Sequence, residues 1–209
     1  MKMIAAFDNS MCKKILLLFT FILGCFVANA QVDTIGPWRF GITGSAIFSG
    51  QYGTIAVSPY LGIGFGAFAR IEPNQCTHYQ LDLTYEQTGF IRNGFVQPYG
   101  NEPIFKLNYL TLRGERGKNL NDFFRLQYGL HVKYLTAFDD GKSEFVEKKE
   151  LAPIDVGVNV GLFVFPSKGL SVGARYSQGF VNTFKEEKYS RTTSGLNWNL
   201  MLQLYVALF

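Results

Sequence analysis

Charge is what this 209-residue sequence has least of: 17% of its residues are Asp, Glu, Lys or Arg, against about 25% in an ordinary soluble domain. The balance is a net +4 with no Lys/Arg block on any one segment, which excludes a basic nucleic-acid-binding surface. Cysteine is scarce, at three residues, and histidine scarcer, at two. No long segment after residue 37 repeats its apolar residues at helical spacing, so helices are not expected there. Nor does any apolar run reach the ~20 residues that a spanning helix needs. What is present in quantity is glycine (22 residues) and aromatic side chains (16%). That mixture fits neither disorder nor a collagen-like repeat, and the length suits one packed core or one closed barrel.

The N-terminus accounts for part of the apolar excess. Lys13 and Lys14 precede the 14-residue run Ile15–Ala28, and Ala28-Asn29-Ala30 supplies small residues at the −3 and −1 positions. This is the order of a secretory signal peptide, so residues 1–30 are expected to be cleaved and 31–209 to form the mature domain, starting at Gln31. Met11 is an alternative start. Ile22-Leu23-Gly24-Cys25 is a rival lipidation motif, disfavoured because the apolar region continues past it to a good cleavage site. Cleavage removes three Lys and one Asp, leaving a net +2, and removes Cys12 and Cys25. Cys76 then stands alone, so no intrachain disulfide is expected. Without a His or Asn constellation around it, Cys76 reads as a small residue beside a turn rather than a nucleophile.

Period two governs the rest. Phe124, Leu126, Tyr128, Leu130, Val132 and Tyr134 alternate with Arg125, Gln127, Gly129, His131 and Lys133. Successive strand side chains point to opposite faces, so such a segment has one apolar and one polar face. The same pattern runs over 154–164, 170–177, 196–208 and 78–86, and more weakly over 38–48, 60–71 and 105–116. Eight strands of about 10–15 residues are expected, longer than the usual 5–6.

A soluble sandwich would bury the apolar parity; a membrane barrel would turn it outward. Strand length favours the barrel. So does the Gly, Asn, Gln and Ser content of the polar parity, which suits a narrow lumen. Trp38, Phe48, Tyr60, Phe90, Phe105, Phe138 and Phe180 fall near strand ends, where interfacial girdles are expected. Short turns at 72–75, 118–122 and 166–169 alternate with longer loops at 49–57, 92–104, 139–153 and 183–194. Barrels sort their connections in this way, short on the periplasmic side and long outside. The expected fold is all-β: an eight-stranded antiparallel up-and-down transmembrane barrel.

Particular strands carry a family likeness. They are Leu61-Gly62-Ile63-Gly64-Phe65, Leu81 to Gly89, Leu107-Asn108-Tyr109-Leu110, Gly157 to Gly161, and Gly173-Ala174-Arg175-Tyr176-Ser177-Gln178-Gly179. On these the mature chain resembles the PorT-like outer membrane protein beta-barrel domain family of Bacteroidota. The resemblance implies an accessory role in secretion or envelope integrity. The chain departs from the family after Leu110, where Thr111, Arg113, Glu115 and Arg116 interrupt the apolar continuation. It ends in Phe209, as barrels read by the assembly machinery do, although Phe209 is out of phase with the outward parity of its strand unless a bulge intervenes.

Turning the polar parity inward collects Arg39, Arg70, Arg113, Arg125, Lys133 and Arg175 with Asp82, Glu86, Glu115 and Asp155. Buried charges must pair, and eight strands enclose only enough room for side chains. A plugged ion-pair network is therefore expected, with a conducting pore as the alternative. His78 and His131 share the inner parity at different levels, which suits lumen hydrogen bonding better than metal or catalysis. Gly62 to Ala67 brushes against a dinucleotide fingerprint, but no helix follows it. Asp139-Asp140-Gly141 lacks the remaining oxygens of a calcium loop and reads as a turn. No catalytic set, cofactor or metal is expected. Lipid, lipopolysaccharide and the assembly machinery are expected partners. The mixed-charge loops at 139–153 and 183–194 could meet an envelope protein. A structural or interaction role leads, ahead of a narrow channel and a membrane-embedded hydrolase or acyltransferase.

Overall fold

The computed structural model describes residues 38–53, 57–74, 76–92, 104–139, 151–167, 169–183 and 195–208. The expected signal peptide, Cys25, Phe209 and most of the long loops lie outside these residues. Eight strands follow one another: β1 (Trp38–Gly53), β2 (Val57–Asn74), β3 (Thr77–Arg92), β4 (Ile104–Asn119), β5 (Phe124–Asp139), β6 (Ile154–Ser167), β7 (Leu170–Asn182) and β8 (Gly195–Ala207). Each pairs antiparallel with the next, and β8 pairs with β1 to close the barrel. Closure leaves no exposed sheet edge, which a chain in lipid could not tolerate.

The strands run 13–18 residues, longer than the alternation suggests, because it fades where strands leave lipid while the hydrogen-bond ladder continues. One connection is corrected by this. The supposed loop 49–57 is strand up to Gly53 and again from Val57. The β4–β5 turn has a local cause: Asn121 Oδ1 accepts the backbone N–H groups of Phe123 (2.9 Å) and Phe124 (2.7 Å), the Asx geometry that reverses a chain tightly. In β2, a Cβ on Gly62 would lie 1.9 Å from the Gln87 carbonyl oxygen, and one on Gly66 2.1 Å from that of Leu83. Glycine there lets two backbones approach as the sheet curls.

The apolar parity faces out. Leu61 and Leu130 are 64% exposed and Leu202 61%, while Asp82, Arg113 and Arg175 are completely buried. In β8, Val206 departs from its set and is buried. On the outer wall Arg116 of β4 stands opposite Tyr79 of β3 and Tyr128 of β5, and Leu110 opposite Tyr85 and Tyr134. These two tyrosine rows bracket Leu81, Leu83, Leu112, Leu130 and Val132, as girdles bracket hydrocarbon.

Trp38, Phe48 and Phe180 are exposed as girdle residues should be. Phe90 and Phe105 are not: both are buried in a cluster inside the barrel, with Phe138 packed against it, and Tyr60 takes the inner parity of β2. A register shift causes the Phe138 discrepancy. Asn108 pairs with Ala137 but Tyr109 with Leu135, so the extra residue in β5 reverses the alternation beyond Leu135. The β1–β8 register is unbroken from Gly195 to Ala207, so no bulge re-phases β8 against β1 over that range.

Candidate functional site

The lumen is filled in layers. At the end carrying the short turns, three arginines from three strands converge on Glu72. Arg39 Nη2, Arg70 Nη1 and Arg125 Nη2 lie 3.7, 3.8 and 3.4 Å from its oxygens. Arg70 Nε donates to Gln80 Oε1 at 2.8 Å, and Arg125 Nε to Asn119 Oδ1 at 2.8 Å. Further in, Phe68, Phe163 and Tyr205 form an aromatic layer, edge to face at 5.2 and 5.5 Å. Arg70 lies over Phe68, and Arg175 over Phe163 and Tyr205.

Arg175 occupies the centre. It pairs with Asp82 at 3.3 Å, pairs closely with Glu115, and donates to Gln127 Oε1 at 3.1 Å. The Tyr205 hydroxyl donates to Asp82 at 2.6 Å, and Gln80 Nε2 to its other oxygen at 2.6 Å. Asn159 donates to Glu115. The next level is built on Glu86, which takes a close pair from Arg113, Lys133 Nζ at 3.4 Å and the Thr111 hydroxyl at 3.1 Å. Arg113 Nη1 also donates to Thr84 Oγ1 at 2.9 Å. Nearest the long loops, Phe90, Phe105, Leu107, Tyr109, Leu135 and Leu151 close the lumen with apolar packing. Every oxygen of Asp82, Glu86 and Glu115 has a partner, as buried charge requires, whereas Arg113 Nε and Arg175 Nε have none among the described residues.

One pairing departs from sheet adjacency, and one histidine from the expected lumen hydrogen bonding. Lys133 is the cross-strand neighbour of Asp155 but turns its ammonium to Glu86. Asp155 instead accepts from the Val181 N–H (3.3 Å) and Asn197 Nδ2 (3.5 Å). His78 is bonded to Gln127 at 2.9 Å, whereas neither ring nitrogen of the buried His131 has a hydrogen-bond partner among the described residues. Among these residues no group of three His, Cys, Asp or Glu could hold a metal.

An apolar outer wall around a polar, ion-paired interior inverts the soluble pattern. The barrel is built to sit in lipid. Closed strand barrels of this kind belong to the bacterial outer membrane, and this protein is an outer-membrane barrel. No family model matches the chain and no curated protein does. Among solved structures it is similar to Ail, the attachment invasion locus protein of Yersinia pestis, in complex with the heparin analogue sucrose octasulfate. The identity is 14%, covering 82% of this chain and 97% of that one, with a TM-score of 0.46. It is similar to Neisserial surface protein A at 10% identity, 82% and 97% coverage, and a TM-score of 0.48. For outer membrane protein W of E. coli the values are 11%, 81%, 99% and 0.37.

Sequence reasoning missed Glu72 because Pro73 and Asn74 beside it look like a turn, yet Glu72 shares the parity of Arg70. It also passed over Phe68, Phe163, Met201 and Tyr205. Counting the inner parity strictly, whatever the residue type, would have found all five.

Proposed function

We propose that this protein is a non-conducting, non-enzymatic outer-membrane barrel with a structural or interaction role, similar to the PorT-like proteins of Bacteroidota and accessory to secretion or envelope integrity. In this reading residues 1–30 export the chain, the assembly machinery inserts it among lipid and lipopolysaccharide, and the long loops engage a partner in the envelope. The observation that supports a plug is the layered lumen, with an apolar cluster at one end, an aromatic layer near the other and a dense ion-pair network between them.

Planar-bilayer recording of the folded protein is expected to give no steady conductance, and loaded liposomes no swelling in sugars. Steady sugar flux would replace the plug with the narrow-channel reading. The loops are the second arm. Photo-crosslinkers at Glu144, Lys148 and Lys185 in whole cells are expected to capture one discrete envelope protein. Capture of lipopolysaccharide alone would reduce the role to a structural one.

A further inference from the structure

The outer wall carries a few neutral polar residues, such as Gln87 and Gln178, and Asp139 at the long-loop end. What sets β4 apart is that it brings positive charge to this wall at the short-turn end. Its lipid-facing residues, from the long-loop end to the short-turn end, are Lys106, Asn108, Leu110, Leu112, Gly114, Arg116 and Lys118. On β6, by contrast, every outward residue from Ile154 to Val164 is aliphatic. Of the strand residues described near the short-turn end, Arg116 and Lys118 are the ones that put a positive charge on the outside, and both are exposed. Neither has an ion-pair partner among the described residues. This is also the stretch at which the sequence leaves the family pattern.

A cation facing lipid costs about 2–4 kcal/mol at the bilayer midplane and about 0–1 near the interface, so Arg116 belongs at headgroup level. Its neighbours agree. Tyr79 and Tyr128 flank it on adjoining strands in one row, 48% and 45% exposed, with hydroxyls at the depth tyrosine prefers. Lys118 lies two residues nearer the water on the same face, about 7 Å along the strand. From Asn108 to Arg116 the strand covers about 27 Å, and a tilt of about 40° reduces that to roughly 20 Å, less than the usual ~25 Å apolar band. Headgroups therefore have to close in on β4 more than on β6. In the leaflet on the short-turn side, the group that offers oxyanions at this depth is the phospholipid phosphate.

We infer that Arg116, Lys118, Tyr79 and Tyr128 form a headgroup site on the outer wall of β4 that selects an anionic phospholipid. Arg116 takes the phosphate in the forked geometry of a guanidinium, the tyrosine hydroxyls donate beside it, and Lys118 supplies the second charge that a zwitterionic headgroup would neutralise with its own amine. The site requires only the lipid exposure of the wall, not the plug or any partner of the loops.

The test uses the full-length folded protein in detergent micelles, titrated with phosphatidylglycerol or phosphatidylcholine of equal chain length and read by native mass spectrometry. One phosphatidylglycerol is expected to be retained about tenfold more tightly than phosphatidylcholine, a difference the size of one charge-assisted hydrogen bond. The double variant Arg116→Gln/Lys118→Gln, checked for folding by heat-shifted gel mobility, is expected to lose that preference. Lys106→Gln, at the opposite end of β4, is expected to keep it, and Arg116→Lys to keep part of it. Equal retention of the two lipids, or an undiminished preference in the double variant, would overturn the site. So would displacement of phosphatidylglycerol by inorganic phosphate, which would make the lipid unnecessary.

Discussion

Replacing Arg175 by methionine should destabilise the folded barrel by about 3–5 kcal/mol, the cost of stranding buried charge by removing its partner. Arg175 is fully buried and pairs with Asp82 and Glu115 from the opposite side of the lumen. Methionine fills much of the same volume against Phe163 and Tyr205, so the loss measures charge rather than packing. Urea unfolding of the protein refolded into vesicles, followed by the fluorescence of Trp38 and Trp198, gives the midpoint shift. The same substitution in an Asp82→Asn/Glu115→Gln background should recover most of it, because the stranded carboxylates are gone. A loss below about 1 kcal/mol in the single variant would show that the network is hydrated rather than sealed.

Leu202→Arg should have the second large effect, where soluble-protein intuition expects almost none. Leu202 is 61% exposed in the middle of β8, and on a water-soluble surface an arginine there would be close to neutral. Facing hydrocarbon near the midplane, it should cost about 2–4 kcal/mol, while the same change at Leu208, at the end of the wall, should cost about 0–1 kcal/mol. The depth dependence is the diagnostic feature. If both variants unfolded in vesicles at the wild-type midpoint, the assignment of this wall to lipid would fail.

Much of this molecule is visible in its residue order. Alternation over Phe124–Tyr134 and Ile154–Val164 marks which side chains share a face, because a strand has no other way to place neighbours. The segregation of Arg175, Asp82 and Glu115 from Leu81, Leu83 and Tyr176 follows from it. The burial of Phe90 and Phe105 was legible too, since both sit on the inner parity of their strands in an unbroken β3–β4 register, but their aromatic type pointed to a girdle. The connection at 49–57 and the inward turn of Phe138 were not visible. Each depends on where a ladder ends or slips by one residue, and that is decided by pairing between strands rather than by the segment itself.

Pairing partners were hidden for a related reason. Lys133 lies opposite Asp155 in the sheet, so adjacency alone would join them, yet the ammonium reaches Glu86 on β3, two strands away. In a narrow closed lumen, long side chains meet across the interior as readily as along the wall. The sequence by itself determined the strands and their two faces, which follow from a period of two. It also determined the membrane address, which follows from strand length, the small polar residues of one face and the alternation of short and long connections. Only the tertiary structure decided who pairs with whom, that Glu72 gathers three arginines, that apolar and aromatic layers close the lumen, and that among the described strand residues β4 alone brings cations to lipid near the short turns. Those outcomes depend on register and closure, which bring together residues as far apart in the chain as Gln51 and Asn197, 146 positions.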